Sequence, residues 1–134
     1  MIDSILKEIP SLIKEANTIQ EPGELLNITS KLSGYLWYMA EELGKRNRHY
    51  IECEAQRKDF FNKACLRLSK DESMAKATVI ATEEVAGVRA SEVDARADLK
   101  DLEMLYDALK ENIWSLRKRV DNFTTEKITT KQLT

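Results

Sequence analysis

The nearest this 134-residue chain comes to a metal or nucleophile motif is its single histidine, His49, four residues before Cys53. Residues four apart share a helix face, so the pair supplies two ligands. A structural zinc site needs four and a catalytic one three, so His49 and Cys53 read as structural or surface groups. One histidine also deprives Ser-His-Asp catalysis and two-histidine metal sites of material. Cys53 and Cys65 read as small buried side chains rather than reactive thiols. They lie too far apart within one straight helix to bridge each other, and reduced thiols match a cytosolic setting. The chain has no Cys-x-x-Cys and no glycine-rich phosphate loop.

Carboxylates offer the other route to chemistry. A helical Mg²⁺ centre, as in all-α nucleotide pyrophosphatases, uses a glutamate pair with a third acid three residues on, so that the carboxylates share one face. Here Glu41 and Glu42 are followed by Leu43, Gly44 and Lys45, and Glu83 and Glu84 by Val85, Ala86 and Gly87. Neither pair gains a third ligand. The set Glu92, Asp94, Asp98, Asp101 and Glu103 is interleaved with Arg96 and Lys100, the pattern of a solvated helix face or an ion-pair zone between subunits. No catalytic residue, metal ligand or cofactor is therefore assigned, and an enzyme is not expected. The residual enzymatic reading is a metal-dependent helical hydrolase acting through Glu83, Glu84, Asp94 or Asp98.

Cations carry more information. The net charge of −2 conceals segregation: residues 1–44 sum to −4, 45–70 to +5, 71–111 to −6 and 112–134 to +3. The basic stretch holds Lys45, Arg46, Arg48, Arg57, Lys58, Lys63, Arg67 and Lys70. Lys63, Arg67 and Lys70 recur at four and three and share a face, with Arg57 and Lys58 about two turns earlier. Such a row would bind phosphates without regard to sequence and in a salt-sensitive way. Tyr50, Phe60 and Phe61 lie beside it and could stack on unpaired bases, which would favour single strands. The alternative is that these aromatics are core and the cations balance the acidic stretch 71–111.

The elements that must carry these residues are helices. Four glycines and two prolines, Pro10 and Pro22, leave nothing after residue 22 to punctuate a β fold, and Ala, Leu, Glu, Lys and Arg dominate. The spacing predicts one all-α domain over 1–134, an antiparallel helical hairpin or bundle. Its parts are an N-terminal helix over 1–20, kinked at or starting near Pro10; a long basic helix over 22–69, with bends expected near Gly34 or Gly44; a heptad helix over 71–123 with Asp71 as N-cap; and a loose polar tail over 124–134. In the heptad helix, positions 74, 78, 81, 85, 88, 92, 95, 99, 102, 106, 109, 113, 116, 120 and 123 alternate in steps of four and three, and all but Thr78 and Glu92 are apolar. A helix of about 50 residues is roughly 75 Å long, more than one small domain can cover, so a homo-oligomer is expected. Its oligomer or core positions are Leu99, Leu102, Tyr106, Leu109, Ile113 and Leu116. The longest apolar run, residues 35–40, is far short of the ~20 residues of a membrane span. The start Met-Ile-Asp-Ser lacks a basic segment leading into an apolar one, so a cytoplasmic protein is expected.

The run Glu54-Ala55-Gln56-Arg57-Lys58, preceded by aromatics within residues 36–39 and followed by Lys63, resembles the UvsY-type phage recombination mediators. After the polar break the likeness continues through Thr78-Val79-Ile80-Ala81, then Leu102, Leu105 and Leu109, to a basic end at Arg117-Lys118-Arg119, and so covers roughly residues 30–122. The resemblance implies a closed oligomeric ring that binds single-stranded DNA without catalysis. It also implies help in loading a RecA-like recombinase onto strands covered by single-strand-binding protein, in the host cytoplasm for a phage-encoded chain. With the +5 segment lying beside this run, the cations expected to contact phosphate are Arg57, Lys58, Lys63 and Arg67, with Lys70 behind them. The rival expectation is a coiled-coil protein-interaction module, an adaptor, scaffold or inhibitor without DNA binding.

Overall fold

A computed structural model of the chain describes the backbone of residues 2–133 and the side chains of residues 2–125. The described residues form four helices and no strand: α1 (Ile2–Thr18), α2 (Pro22–Leu68), α3 (Met74–Glu84) and α4 (Ala86–Leu133). No helix among them is long and apolar enough to cross a membrane. Helix α1 begins at Ile2, not at Pro10, which lies inside it on an exposed position. Helix α2 opens on Pro22, whose fixed φ suits a first turn and whose missing N–H is not needed there. The Glu21 carboxylate accepts from the Gly23 and Glu24 amides at 3.0 and 2.7 Å, satisfying donors that a helix start leaves unpaired.

From there α2 runs to Leu68 without a break at Gly34 or Gly44. A Cβ built at Gly34 meets nothing within 4 Å, so its glycine costs backbone entropy without serving a close approach. Gly34→Ala is expected to raise the unfolding free energy by about 0.5–1 kcal/mol, read from the denaturant midpoint.

The chain ahead of α4 departs from the expected pattern in three places. Ser73, not Asp71, caps the helix after the polar break, its Oγ accepting from the Lys76 amide at 3.4 Å. The long helix is interrupted at Val85, yet Val85 N–H to Ala81 O (3.1 Å) and Arg89 N–H to Val85 O (2.9 Å) keep helical bonding across the interruption. At its start the stripe shifts by one residue: Met74 and Thr78 are exposed and Ala77 is buried. At the other end the helical backbone passes the expected boundary at Phe123 and continues to Leu133.

Where the sequence reads as one domain, the chain divides into two compact units, Met1–Glu42 with Glu103–Thr134, and Leu43–Leu102. In the first, α1, the start of α2 and the end of α4 enclose Ile5, Ala16, Leu25, Ile28, Leu32, Met39, Leu109, Ile113 and Leu116. Polar links tie all three helices: Tyr35 donates to Glu8, Arg117 to the Ser33 hydroxyl at 3.2 Å, and Arg119 to the Ala16 and Ile19 carbonyls at 3.1 Å each. Arg119 thus serves carbonyls that the end of α1 leaves open, where the helix dipole favours a cation. In the second unit, the end of α2 pairs with α3 and the start of α4. Arg46 reaches the Asp98 carbonyl, Arg57 reaches Glu92 and Arg67 reaches Glu84, a falling register that makes the hairpin antiparallel.

Every stripe position from Ala81 to Phe123 is buried or half-buried, Leu99, Leu102, Leu109, Ile113 and Leu116 fully and Tyr106 partly. The chain's own helices cover it. The length of the stripe therefore does not by itself require other subunits.

Candidate nucleic-acid interface

The five cations singled out by sequence lie in the second unit, on the end of α2 and just after it. A step of about 100° per residue places Lys63 and Arg67 on one edge of α2, but turns Lys58 away from Lys63 by roughly 140°, and Lys70 lies beyond the end of the helix at Leu68. The structure therefore brings together two of the five, Lys63 and Arg67. Arg57 lies in the seam of the hairpin: its side chain is 29% exposed and the Glu92 carboxylate that accepts from its Nε is 14% exposed. Glu92, one of two polar residues in the apolar stripe, is matched by this arginine. The signal in sequence was the fault in the stripe; its partner, 35 residues away, was not visible.

Acids meet three of the remaining four cations as well. Lys58 Nζ lies 2.9 Å from Glu54, and Lys63 Nζ 2.9 Å from Asp59, each one turn back on α2. Arg67 pairs with Glu84 of α3. Lys70 has no ion-pair partner among the described residues. Apart from Arg57–Glu92 these pairs are exposed, and exposed pairs contribute little because solvent screens them and both side chains lose freedom. A phosphate group can exchange for such a carboxylate at small cost. The charge segregation along the sequence is in part internal complementarity, with the basic helix lying against the acidic one.

Glu54 also accepts from the Tyr50 hydroxyl. Its hydrogen bond from Lys58, then that from Tyr50, holds its carboxyl below the ordinary glutamate value, and Glu54 in turn pushes the Tyr50 phenol up. A carboxyl depressed in the folded state adds stability that is present above its unfolded value and lost as pH falls through the folded one. Glu54 is therefore expected to titrate below the ordinary glutamate value in a carbon-detected NMR titration, and Lys58→Gln to move it upward.

The aromatics separate. Phe61 and Tyr50 are half-buried, whereas Phe60 is 41% exposed. It lines a groove of about 300 Å³ with Lys63, Ala64, Arg67, Glu84, Val85 and Val88. An aromatic face, two cations and an open apolar floor thus share one edge of the hairpin. Sequence reasoning missed Arg89 and Arg96, which with Arg57, Glu92 and Val93 line a separate pocket of about 240 Å³.

His49 and Cys53 are 3.7 Å apart, Nε2 to Sγ. Among the described residues no group of three His, Cys, Asp or Glu side chains is gathered that could hold a metal ion. The acids Glu83, Asp94 and Asp98 are exposed, and Glu84 is committed to Arg67. Comparison with known proteins finds no match among family models, curated proteins or solved structures.

Proposed function

We propose that this chain is a non-catalytic, single-stranded nucleic-acid-binding protein of the recombination-mediator kind, and that the groove at Phe60, Lys63 and Arg67 is where it holds the strand. The observation that carries the reading is Phe60: a large aromatic left 41% exposed, sharing one groove with Lys63 and Arg67 over an apolar floor. The open part of the ring offers a stacking surface to any base, while Lys63, Arg67 and Lys70 take the phosphates. Loading of a RecA-like recombinase in the presence of single-strand-binding protein, and assembly into a homo-oligomer, belong to the same proposal. They rest on the resemblance of the 54–58 run and not on the hairpin. The test is fluorescence anisotropy of a labelled single-stranded oligonucleotide across a salt series, with mass followed by light scattering. Affinity falling steeply with salt supports the reading; no binding at low salt refutes it.

A second reading has its own observation. In the first unit Trp37 is 75% and Trp114 60% exposed, with Lys118 stacked over the Trp114 ring at 3.7 Å from its centroid. Exposed tryptophans are common anchors of protein interfaces. If the oligonucleotide does not bind, a helical adaptor docking through these rings becomes the better account.

A further inference from the structure

The second pocket of the hairpin is built from three arginines and one carboxylate. On α4, Glu92 and Val93 stand three and four residues after Arg89 and four and three before Arg96, so the four share a face, and Arg57 enters from α2. Glu92 accepts from Arg57. Arg89 and Arg96 have no acidic partner among the described residues, although residues 71–111 carry eleven acids. Their isolation is written into the spacing. Three and four residues from Arg89 stand Val85, Ala86, Glu92 and Val93; from Arg96, Glu92, Val93, Leu99 and Lys100. The one acid within reach of both is the one Arg57 already holds. Contrast Lys58 and Lys63, each provided with an acid four residues back.

A space of about 240 Å³ with three guanidinium groups and one neutralised carboxylate on its walls retains a surplus of two positive charges and unspent N–H donors arranged as planar forks. That is the chemistry that recognises a tetrahedral oxyanion, and the volume admits a phosphate with its first ester substituents. The pocket shares no residue with the groove at Phe60 and lies on the other side of the seam, since Glu84 and Arg89, five apart, face about 140° away from one another. We infer that Arg57, Arg89 and Arg96 form a second anion site on the hairpin, whose ligand is a phosphodiester of the bound nucleic-acid strand. The ligand's source rests on the proposed function; the pocket's preference for phosphate does not.

The experiment follows the arginine Nε–Hε NMR signals of the full chain, assigned by their loss in Arg89→Gln and Arg96→Gln. Inorganic phosphate and a single-stranded oligonucleotide are added separately at constant ionic strength. Shifts of the Arg89 and Arg96 signals with both are expected. The double variant, whose replaced side chains are exposed, is expected to keep its helical circular dichroism, to bind the oligonucleotide about tenfold or more weakly, and to show a salt slope shallower by about 1.4. Shifts with phosphate alone would overturn the nucleic-acid source and keep the anion site. No shift with either probe would overturn the site itself. Loss of oligonucleotide binding on changing Lys63 and Arg67, with the double variant unaffected, would uphold the proposed function and sink this inference.

Discussion

Changing Lys63 and Arg67 to glutamate is expected to weaken binding of single-stranded DNA about a hundredfold at low salt and to flatten the log–log salt slope by about 1.4. The slope follows from counterion release, about 0.7 per phosphate contact on a single strand. The affinity follows from losing two hydrogen-bonded contacts to charged groups, each worth roughly tenfold or more. Because Arg67 also holds Glu84 of α3, the reversal places two carboxylates against each other. The neutral pair Lys63→Gln with Arg67→Gln is therefore measured beside it and should give the same loss of slope with a smaller loss of affinity. Glu84→Gln supplies the opposite sign. It removes the carboxylate that competes with phosphate for Arg67, so binding should tighten. An unchanged slope in both double variants would show that this edge of the hairpin is not where phosphates are held.

Leu109→Ala is expected to cost about 2–5 kcal/mol of unfolding free energy, the range for removing a fully buried leucine where the site does not collapse. Leu109 is 2% exposed within the single chain. Total stabilities of small proteins run about 5–15 kcal/mol, so this one change should consume a large share. The measurement is denaturant unfolding followed by circular dichroism at two protein concentrations well apart. A midpoint lowered equally at both would place the heptad stripe in the core of the chain. If Leu109→Ala left the midpoint in place but lowered the mass seen by light scattering, the stripe would instead be a seam between subunits.

These two predictions test an exposed edge of α2 and the buried stripe of α4, and the difference between the two has a physical origin. The stripe of α4 is buried because it is apolar at intervals of three and four. Its two faults are resolved differently: Thr78 moves out as Ala77 takes its place, and Glu92 stays in and is met by Arg57. A carboxylate left unpaired at 14% exposure would carry a desolvation penalty that the arginine removes. The same pairing takes Arg57 out of the open row to which its charge alone assigns it, and leaves Arg89 and Arg96 beside a carboxylate that is already paired.

The sequence by itself determined the helices: their number to within the interruption at Val85, the break after α1, the connection at 69–73, and the residues of α3 and α4 that are buried from Ala81 onward. Each of these depends on residues within a turn or two of one another, through proline, capping side chains and a repeat that local geometry converts into a face. Only the tertiary structure decided which charges meet. Arg57 with Glu92 and Arg67 with Glu84 are separated by 35 and 17 residues. A heptad pattern does not fix such pairings, since sliding one helix by seven residues leaves both apolar stripes matched while every charged neighbour changes. The register of the hairpin, set by the short connection at 69–73 and by the arginine that reaches Glu92, is what leaves Phe60 beside Lys63 and Arg67 on one edge and gathers three arginines on the other.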